Sequence, residues 1–506
     1  MLQVRKSTVG WATALALTAA GLTPASPASA RPTIEWQPCV KDTPAQDTPV
    51  EETRAECGTL SLPVDWSRPR GERFDLALAR RVATDPSARQ GTLVFGPGGP
   101  GDSGVDRVVN GSSRFSADLR RRFDIVSFDP RGTGGSHPVV CARDLLARQP
   151  QLIADQAQFD ATLTNNALLR ADCRARTGPL YDHVDTTSAA RDLDAIRAAL
   201  GERQLTFHGS SYGTLLGQRY AELYPDRVRA MVLEATMDHS VDTRAFLDSQ
   251  AATVQGAFDE FVAWCDRSSA CALHGRDLRA IWAGLRDRAE RGVLTDPKRP
   301  GVALTPFELV RLTHKEFYDT VRWPGLAGWL GAMDSATVPA TAPATVPATA
   351  LPTDARAAGD TVASYPFAVF CQDWSLPVRD YREYAAHLGR AARLAPDLRY
   401  PPALFAIATC LGSPTPVANP QHRLRVHTKV PLLIAATVHD PASGYDWSRN
   451  VARQLGRHGV LLTYQGWGHG SYTTSVPCVG ATVDSYLIDQ VVPARGATCP
   501  AVDPDV

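Results

Sequence analysis

Most of the features that classify a chain at a glance are absent from this sequence. Neither sign of charge is in excess, since 53 Lys and Arg face 53 Asp and Glu across 506 residues. A zero formal net charge creates no field to collect a polyanion, so there is no electrostatic case for nucleic acid as a partner. The ten cysteines include no C-x-x-C pair, which argues against a zinc module and against a thioredoxin-like redox motif. No glycine-rich loop continues into G-x-x-x-x-G-K-[ST], so a P-loop phosphate site is excluded. No repeat of the ~20 to 50 residue kind is visible. Beyond the first thirty residues no stretch is long and apolar enough to span a bilayer. With 44% hydrophobic and 21% charged residues, the chain has the balance of a globular protein, and its length allows one large or two to three ordinary domains.

The first thirty residues differ from the rest. Arg5 and Lys6 precede an apolar stretch from Val9 to Leu22, and a small-residue tail ends Pro27-Ala28-Ser29-Ala30. A basic start, a short apolar centre and an A-x-A site are expected of a secretory signal over 1–30. Thr13, Thr18 and Gly21 interrupt the apolar run, which makes it a poor membrane span, and no Cys stands at the cleavage boundary to take a lipid. The expected location is therefore extracellular. There, an even number of cysteines reads as disulfides. Local closure costs the least chain entropy, which favours pairing in chain order: Cys39–Cys57, Cys141–Cys173, Cys265–Cys271, Cys371–Cys410 and Cys478–Cys499. Sequence leaves the other connectivities open, along with the oligomeric state.

Short β-branched runs alternate with helical patterns in the first half and again near the end. The strands expected are Phe74 to Val82, Thr92 to Phe95, Phe123 to Phe128, Leu205 to His208, Ala230 to Glu234, Val430 to Ala436 and Val460 to Tyr464. Helices are expected over Thr187 to Leu200, closed by Gly201, and over Thr214 to Leu223. This alternation implies an α/β class with a mostly parallel sheet buried on both faces. The middle, 240–425, carries helical patterns over Thr243 to Cys265 and Asp277 to Arg291. It also holds an Ala/Thr/Pro-rich stretch, 338–352, whose prolines break any helix. The expected organisation is a core over 31–239 and 426–506, split by an inserted, mainly helical lid over 240–425.

The chemistry concentrates at the ends of the expected strands. Leu205 to His208 runs into Gly209-Ser210-Ser211-Tyr212-Gly213 and then into a helix, a setting that lifts the Ser211 hydroxyl out of a tight turn. A serine hydroxyl is a weak nucleophile and needs a base oriented by a carboxylate. Asp440 follows the strand ending near Ala436, and His469 lies in Gly468-His469-Gly470 after the strand ending at Tyr464. Asp446 competes for the carboxylate role and His439 for the base. An acyl-transfer site also needs donors where negative charge develops on oxygen. The loop from Gly96 to Gly104, rich in glycine, lets backbone N–H groups approach a substrate.

Gly98-Gly99-Pro100-Gly101, Asp129-Pro130-Arg131-Gly132-Thr133-Gly134-Gly135-Ser136, Gly209-Ser210-Ser211-Tyr212-Gly213, Asp440 and Gly468-His469-Gly470 together resemble the prolyl aminopeptidase group of α/β-hydrolases. More narrowly, the chain is similar to the secreted tripeptidyl aminopeptidases of actinomycetes, from about Cys39 to Cys499. The resemblance implies an α/β-hydrolase fold with helices on both faces of the sheet and a lid. It implies Ser211 as nucleophile, His469 as general base, Asp440 as its carboxylate, and the N–H groups of Gly99 and Tyr212 as the oxyanion hole. Asp129 and Arg131 are expected to brace the loop. Asp102 departs from the pattern, standing where relatives commonly carry glycine.

The activity expected is release of short peptides, tripeptides by the resemblance, from free amino termini of peptides or proteins through an acyl-enzyme on Ser211. Such an enzyme should offer a carboxylate to the substrate ammonium, and Glu234, Asp238 and Asp373 are the candidates. Trp323, Trp329 and Trp374 could line a lid pocket or simply pack. No metal or organic cofactor is implied. A secreted carboxylesterase or lipase-like hydrolase using the same triad is the alternative, since a fold does not fix a substrate, and a binding protein on an inactive hydrolase scaffold is a third reading that the full triad disfavours.

Overall fold

The computed structural model describes residues 33–39, 54–111, 113–299, 301–336, 361–472 and 475–505. The expected leader, 1–30, and the stretch 338–352 lie outside them.

In chain order the strands are β1 (Gln37–Pro38), β2 (Glu56–Pro63), β3 (Arg73–Arg81), β4 (Gly91–Gly96), β5 (Phe123–Phe128), β6 (Val140–Ala142), β7 (Leu205–Ser210), β8 (Val228–Glu234), β9 (Val362–Ser364), β10 (Leu432–His439), β11 (Gly459–Trp467) and β12 (Thr498–Cys499). Ten of them form one sheet in the order β1-β2-β3-β5-β4-β7-β8-β10-β11-β12. The pairs from β5 through β12 are parallel, and β1, β2, β3 and β5 pair antiparallel. All seven expected strands are present. Every residue of β4 and β5 is buried, because a parallel sheet has helices on both faces and leaves no wet side.

The chain leaves β4 for β5 on one side and returns to β7 on the other. This reversal opens a crevice at the carboxyl ends of β4 and β7, where open α/β sheets place their sites. The register sets Gly96 beside Gly209 and Ser210 beside Glu234 at that edge.

The helices Thr243–Arg267, Leu278–Glu290, Pro306–Glu316 and Trp323–Ser335 make a lid with its own core, which includes Phe258, Phe261, Trp264, Trp282 and Trp323. Asp242 and Asp277 cap the first two, each accepting from a backbone N–H three residues on. Trp323 and Trp374 are fully buried packing residues, and the indole of Trp329 is tied to Asp296 at 3.0 Å.

Two contacts cross the expected boundary at 240. β6, from the first core segment, pairs antiparallel with β9 from the insertion. The helix Gln156–Thr177 is tied through Asn166 to the carbonyls of Ala408 and Leu411 at the end of the helix Ala403–Cys410, at 2.8 and 3.1 Å. The chain between β5 and β7 is thereby tied to β9 and to the helix Ala403–Cys410. Five disulfides close in chain order, Cys39–Cys57 through Cys478–Cys499.

Candidate active site

After β7 the backbone turns sharply, and Ser211 takes φ 54° before the helix Gly213–Leu223 begins. A non-glycine residue in this left-handed region costs of the order of 1–3 kcal/mol and persists only where its surroundings dictate it. The Ser211 N–H donates to the Glu234 carbonyl at 2.9 Å, and the Ser211 carbonyl accepts from the Thr214 N–H at 2.9 Å and the Thr214 hydroxyl at 2.6 Å. A Cβ at Gly213 would collide with the carbonyls of Gly96 and Pro97, and one at Gly209 would lie 2.6 Å from the Gly213 carbonyl oxygen. Both glycines of the G-x-S-x-G motif are thus required by close backbone approach.

On the loop after β11, Nδ1 of His469 lies 2.9 Å from Oδ1 and 3.2 Å from Oδ2 of Asp440. The buried Asp440 carboxylate also accepts from the N–H groups of Ala442 and Ser443, at 2.8 and 3.0 Å, and from the Ser443 hydroxyl at 3.1 Å. An acceptor-only carboxylate facing Nδ1 fixes the proton there and leaves Nε2 as the basic nitrogen. Burial works against charge on His469, but the attraction and hydrogen bond of Asp440 outweigh it and hold the imidazole above its ordinary pKa.

Lid residues hold this pair from the other side. The His469 N–H donates to the Tyr318 carbonyl at 2.9 Å, and the Tyr318 ring sits 4.8 Å from the imidazole. Nε2 of His314 donates to the Pro441 carbonyl at 2.8 Å. Burial pushes the His314 pKa down to about 4, which keeps it a neutral N–H donor at ordinary pH. Competing assignments are separated by geometry. The Asp446 side chain is 84% exposed and pairs with Arg449, and His439 faces Glu260 on the lid at 3.5 Å while stacking on Trp467.

Among the described residues, Oγ of Ser211 and Nε2 of His469 make no hydrogen bond. Such bonds are often long in ligand-free enzymes and tighten only with substrate in place. The two loops are joined instead through Glu234. Its carbonyl holds Ser211, while its Oε1 accepts from the N–H groups of Ser471 and Tyr472, at 2.8 and 2.6 Å, just beyond His469. Oε2 accepts from Nε2 of His208 at 2.9 Å and pairs with Arg114. Burial alone would raise the Glu234 pKa, yet Arg114 and then His208 and the backbone donors hold it at about 2. Burial drives His208 downward, so the imidazole is a neutral donor and Arg114 is the cation that balances Glu234.

Glu234→Gln removes that balance. Breaking a buried ion pair from one side costs ~3–5 kcal/mol, and the lower end applies because Arg114 keeps 33% of its side-chain exposure. The expected result is a destabilised but folded enzyme whose kcat/KM falls about tenfold. The acid limb of its pH profile moves to lower pH, since Glu234 helps raise the His469 pKa. Thermal unfolding together with a kcat/KM profile against pH checks this; an unmoved acid limb would reduce Glu234 to a packing role.

The same burial corrects the expectation that Glu234, Asp238 or Asp373 receives a substrate ammonium, because none is more than 1% exposed. Asp238 accepts from Ser240, Asn450 and Gln454. Asp373 accepts from the Thr186 N–H and hydroxyl at 2.8 and 2.6 Å, from the Tyr212 hydroxyl at 2.6 Å and from Asn419 at 3.0 Å. All three are internal struts.

The glycine loop lies against the elbow. A Cβ at Gly98 would sit 3.1 Å from the Ser211 Cβ and 3.6 Å from Oδ2 of Asp102. Among the described residues, the N–H groups of Gly99 and Tyr212 have no protein acceptor. Asp129 holds the end of the loop, accepting from the Ser103 hydroxyl at 2.7 Å and the Val105 N–H at 3.1 Å, and Arg131 is buried in a 2.6 Å ion pair with Asp192. A cavity of about 320 Å³ opens beside His469, walled by Tyr318 and Trp467, with Asp319 and Asp503 on its lining. These acids, and the lid residues Tyr318 and His314, belong to no local motif and come together only through the fold.

A family model described as the alpha/beta hydrolase fold matches residues 91–472, from the first strand of the site to the loop after His469. The chain belongs to the α/β-hydrolase family. Curated relatives of this hydrolase span nearly its whole length. The serine protease Hip1 of Mycobacterium tuberculosis is 32% identical, covering 92% of this chain and 91% of its own. A tripeptidyl aminopeptidase of Streptomyces lividans is 30% identical, covering 95% of this chain and 89% of its own. A protein named carboxylesterase B, also of M. tuberculosis, is 33% identical, covering 95% and 92%.

Proposed function

We propose that this hydrolase is a secreted serine exopeptidase that releases short peptides, of tripeptide size, from free amino termini. The observation that carries the chemistry is the Asp440–His469 pair at 2.9 Å facing the crevice where Ser211 is held at φ 54°. In the proposed mechanism Nε2 of His469 takes the Ser211 proton as Oγ attacks the scissile carbonyl carbon. The carbonyl oxygen becomes an oxyanion and turns toward the unengaged N–H groups of Gly99 and Tyr212. The C–N bond then breaks as His469 returns the proton to the leaving amine, giving an acyl-enzyme. A water molecule, deprotonated by His469, releases the acyl peptide and restores Ser211.

With Glu234, Asp238 and Asp373 committed inside the protein, the carboxylates positioned to meet a substrate ammonium are Asp102 beside the elbow and Asp319 and Asp503 on the cavity next to His469. Relatives named as a serine protease and a tripeptidyl aminopeptidase support the peptidase reading. Five disulfides suit an exported protein, and among the described residues no helix is long and apolar enough to cross a membrane.

The carboxylesterase relative gives the esterase reading a specific footing, and three substrates decide between the two: a tripeptide anilide with a free amino group, the same anilide N-acetylated, and a simple aryl ester. The peptidase reading expects turnover of the free-amino anilide, with kcat/KM reduced about fivefold by acetylation, because Asp102 is part-exposed and Asp319 and Asp503 are exposed, and a solvent-screened ion pair is worth only about 1 kcal/mol. Ester turnover with neither anilide cleaved would overturn it.

A further inference from the structure

A second cavity, of about 210 Å³, lies away from the catalytic loops between the helices Gln156–Thr177, Phe367–Asp373 and Ala403–Cys410. Its construction is that of a preformed pocket. The Cys371–Cys410 disulfide ties two of the three helices together at its edge, and the apolar side chains of Leu169, Pro414, Pro416 and Val417 supply much of its wall. Small-ligand sites combine such apolar walls with a few placed polar groups.

The polar groups here are unusual in lacking partners. Along the helix Gln156–Thr177, Arg174 grips Asp182 at 2.7 Å and Arg176 grips Asp172 at 2.8 Å. Arg170, one turn earlier and half-buried on the cavity, has no carboxylate within ion-pair distance among the described residues. Among the described residues its one hydrogen bond is a long contact of 3.4 Å to the Leu411 carbonyl. Asp182 also borders the cavity, but its charge is matched by Arg174, so the site keeps one net positive charge. Burial works against the Arg170 charge and outweighs the support it draws from Tyr181 and Tyr365. In the same wall, Oε1 of Gln372 and Oγ1 of Thr409 are buried without a hydrogen-bond partner, each worth ~1–3 kcal/mol if left unmet.

We infer that this cavity is a second ligand site, taking a small apolar carboxylate that carries a neighbouring N–H. The Arg170 guanidinium receives the carboxylate, Gln372 Oε1 and Thr409 receive the N–H, and the apolar walls take the side chain. This is the chemistry of an N-acylated apolar amino acid or of the last residue of a short peptide. The volume sets an upper size, being smaller than the ~300–1,000 Å³ of drug-sized pockets. Gln372 precedes Asp373, which holds the Tyr212 hydroxyl at 2.6 Å, so the site shares a wall with the framework of the elbow. It does not depend on what Ser211 does.

Titration calorimetry with the full-length protein and N-acetyl-L-leucine tests this without reading turnover. Binding is expected, weakened at least tenfold when the ligand is replaced by its uncharged amide and at least tenfold by Arg170→Met. Ala418→Trp, at an exposed position on the cavity rim, blocks entry without disturbing the core and should weaken binding by as much, with an unchanged melting temperature. No detectable binding, affinity equal for acid and amide, or affinity unchanged in both variants would each overturn the proposal, the last by placing the ligand elsewhere.

Discussion

Ser211→Ala should lower kcat by about 10⁶-fold while leaving the melting temperature within a degree or two of the parent. The magnitude is that of losing the nucleophile from a triad whose other members cannot act alone, and it corresponds to roughly 8 kcal/mol of transition-state stabilisation. The preserved fold follows from the local geometry. Among the described residues no group hydrogen-bonds to the Ser211 hydroxyl, so its removal strands no partner. Alanine also suffers the same backbone strain at φ 54° as serine does. Ser211→Gly sharpens the test, because glycine takes this conformation freely. It should be equally inactive yet melt higher than the alanine variant, provided the gain exceeds the added chain entropy of glycine. Turnover and thermal unfolding measured on the three proteins settle the matter. Activity retained in Ser211→Ala would mean that another group attacks, whereas a melting temperature lower by ten degrees would make the loss uninformative about chemistry.

Legibility in the sequence followed physical rules. The central strands were readable because a parallel sheet buried on both faces demands continuous apolar runs, and β4, β5 and β7 supply them. The elbow was readable because close backbone approach at Gly209 and Gly213 admits no side chain. Asp440 and His469 stood out as candidates by their places just past strand ends, and the structure sets them 2.9 Å apart. The helix Gln156–Thr177 was missed because its buried face includes Thr162, Asn165, Asn166 and Thr177, which bond to backbone groups and to Gln149 and interrupt the apolar period. β2 was missed because Glu56–Pro63 lies near the antiparallel edge of the sheet, where Cys57 and Gly58 break the alternation. The misassigned carboxylates show a further limit. Glu234, Asp238 and Asp373 stand just past strands or in motifs that invite function, and only the fold reveals that each already has its donors.

Asp440→Asn should reduce kcat by about 10⁴-fold through the imidazole's proton rather than its position. The asparagine oxygen still accepts from the N–H groups of Ala442 and Ser443 at the Oδ1 position, and its amide nitrogen takes the Oδ2 position, 3.2 Å from Nδ1 of His469. A donor there competes with the oxygen for Nδ1 and, with the carboxylate charge gone, shifts the ring toward the tautomer with its proton on Nε2, which cannot take the Ser211 proton. The pH profile separates this from simple loss of structure. In the parent, the His469 pKa lies above its ordinary value because Asp440 outweighs burial. Activity needs the neutral ring, so kcat/KM should fall as pH drops through a midpoint above ~6.5. Without the carboxylate charge, burial dominates and the residual activity should hold to more acid pH, with its midpoint below ~6.5. Stability moves in the matching sense. A histidine with a raised folded pKa contributes stability that is fully present below its unfolded pKa and lost as pH rises through the folded value, so the penalty of Asp440→Asn on melting should be larger at pH 5 than at pH 8. Asp446→Asn, altering an exposed carboxylate paired with Arg449, should leave rate and profile as they were. An acid limb that stays in place in Asp440→Asn, or one that moves in Asp446→Asn, would reassign the carboxylate of the triad.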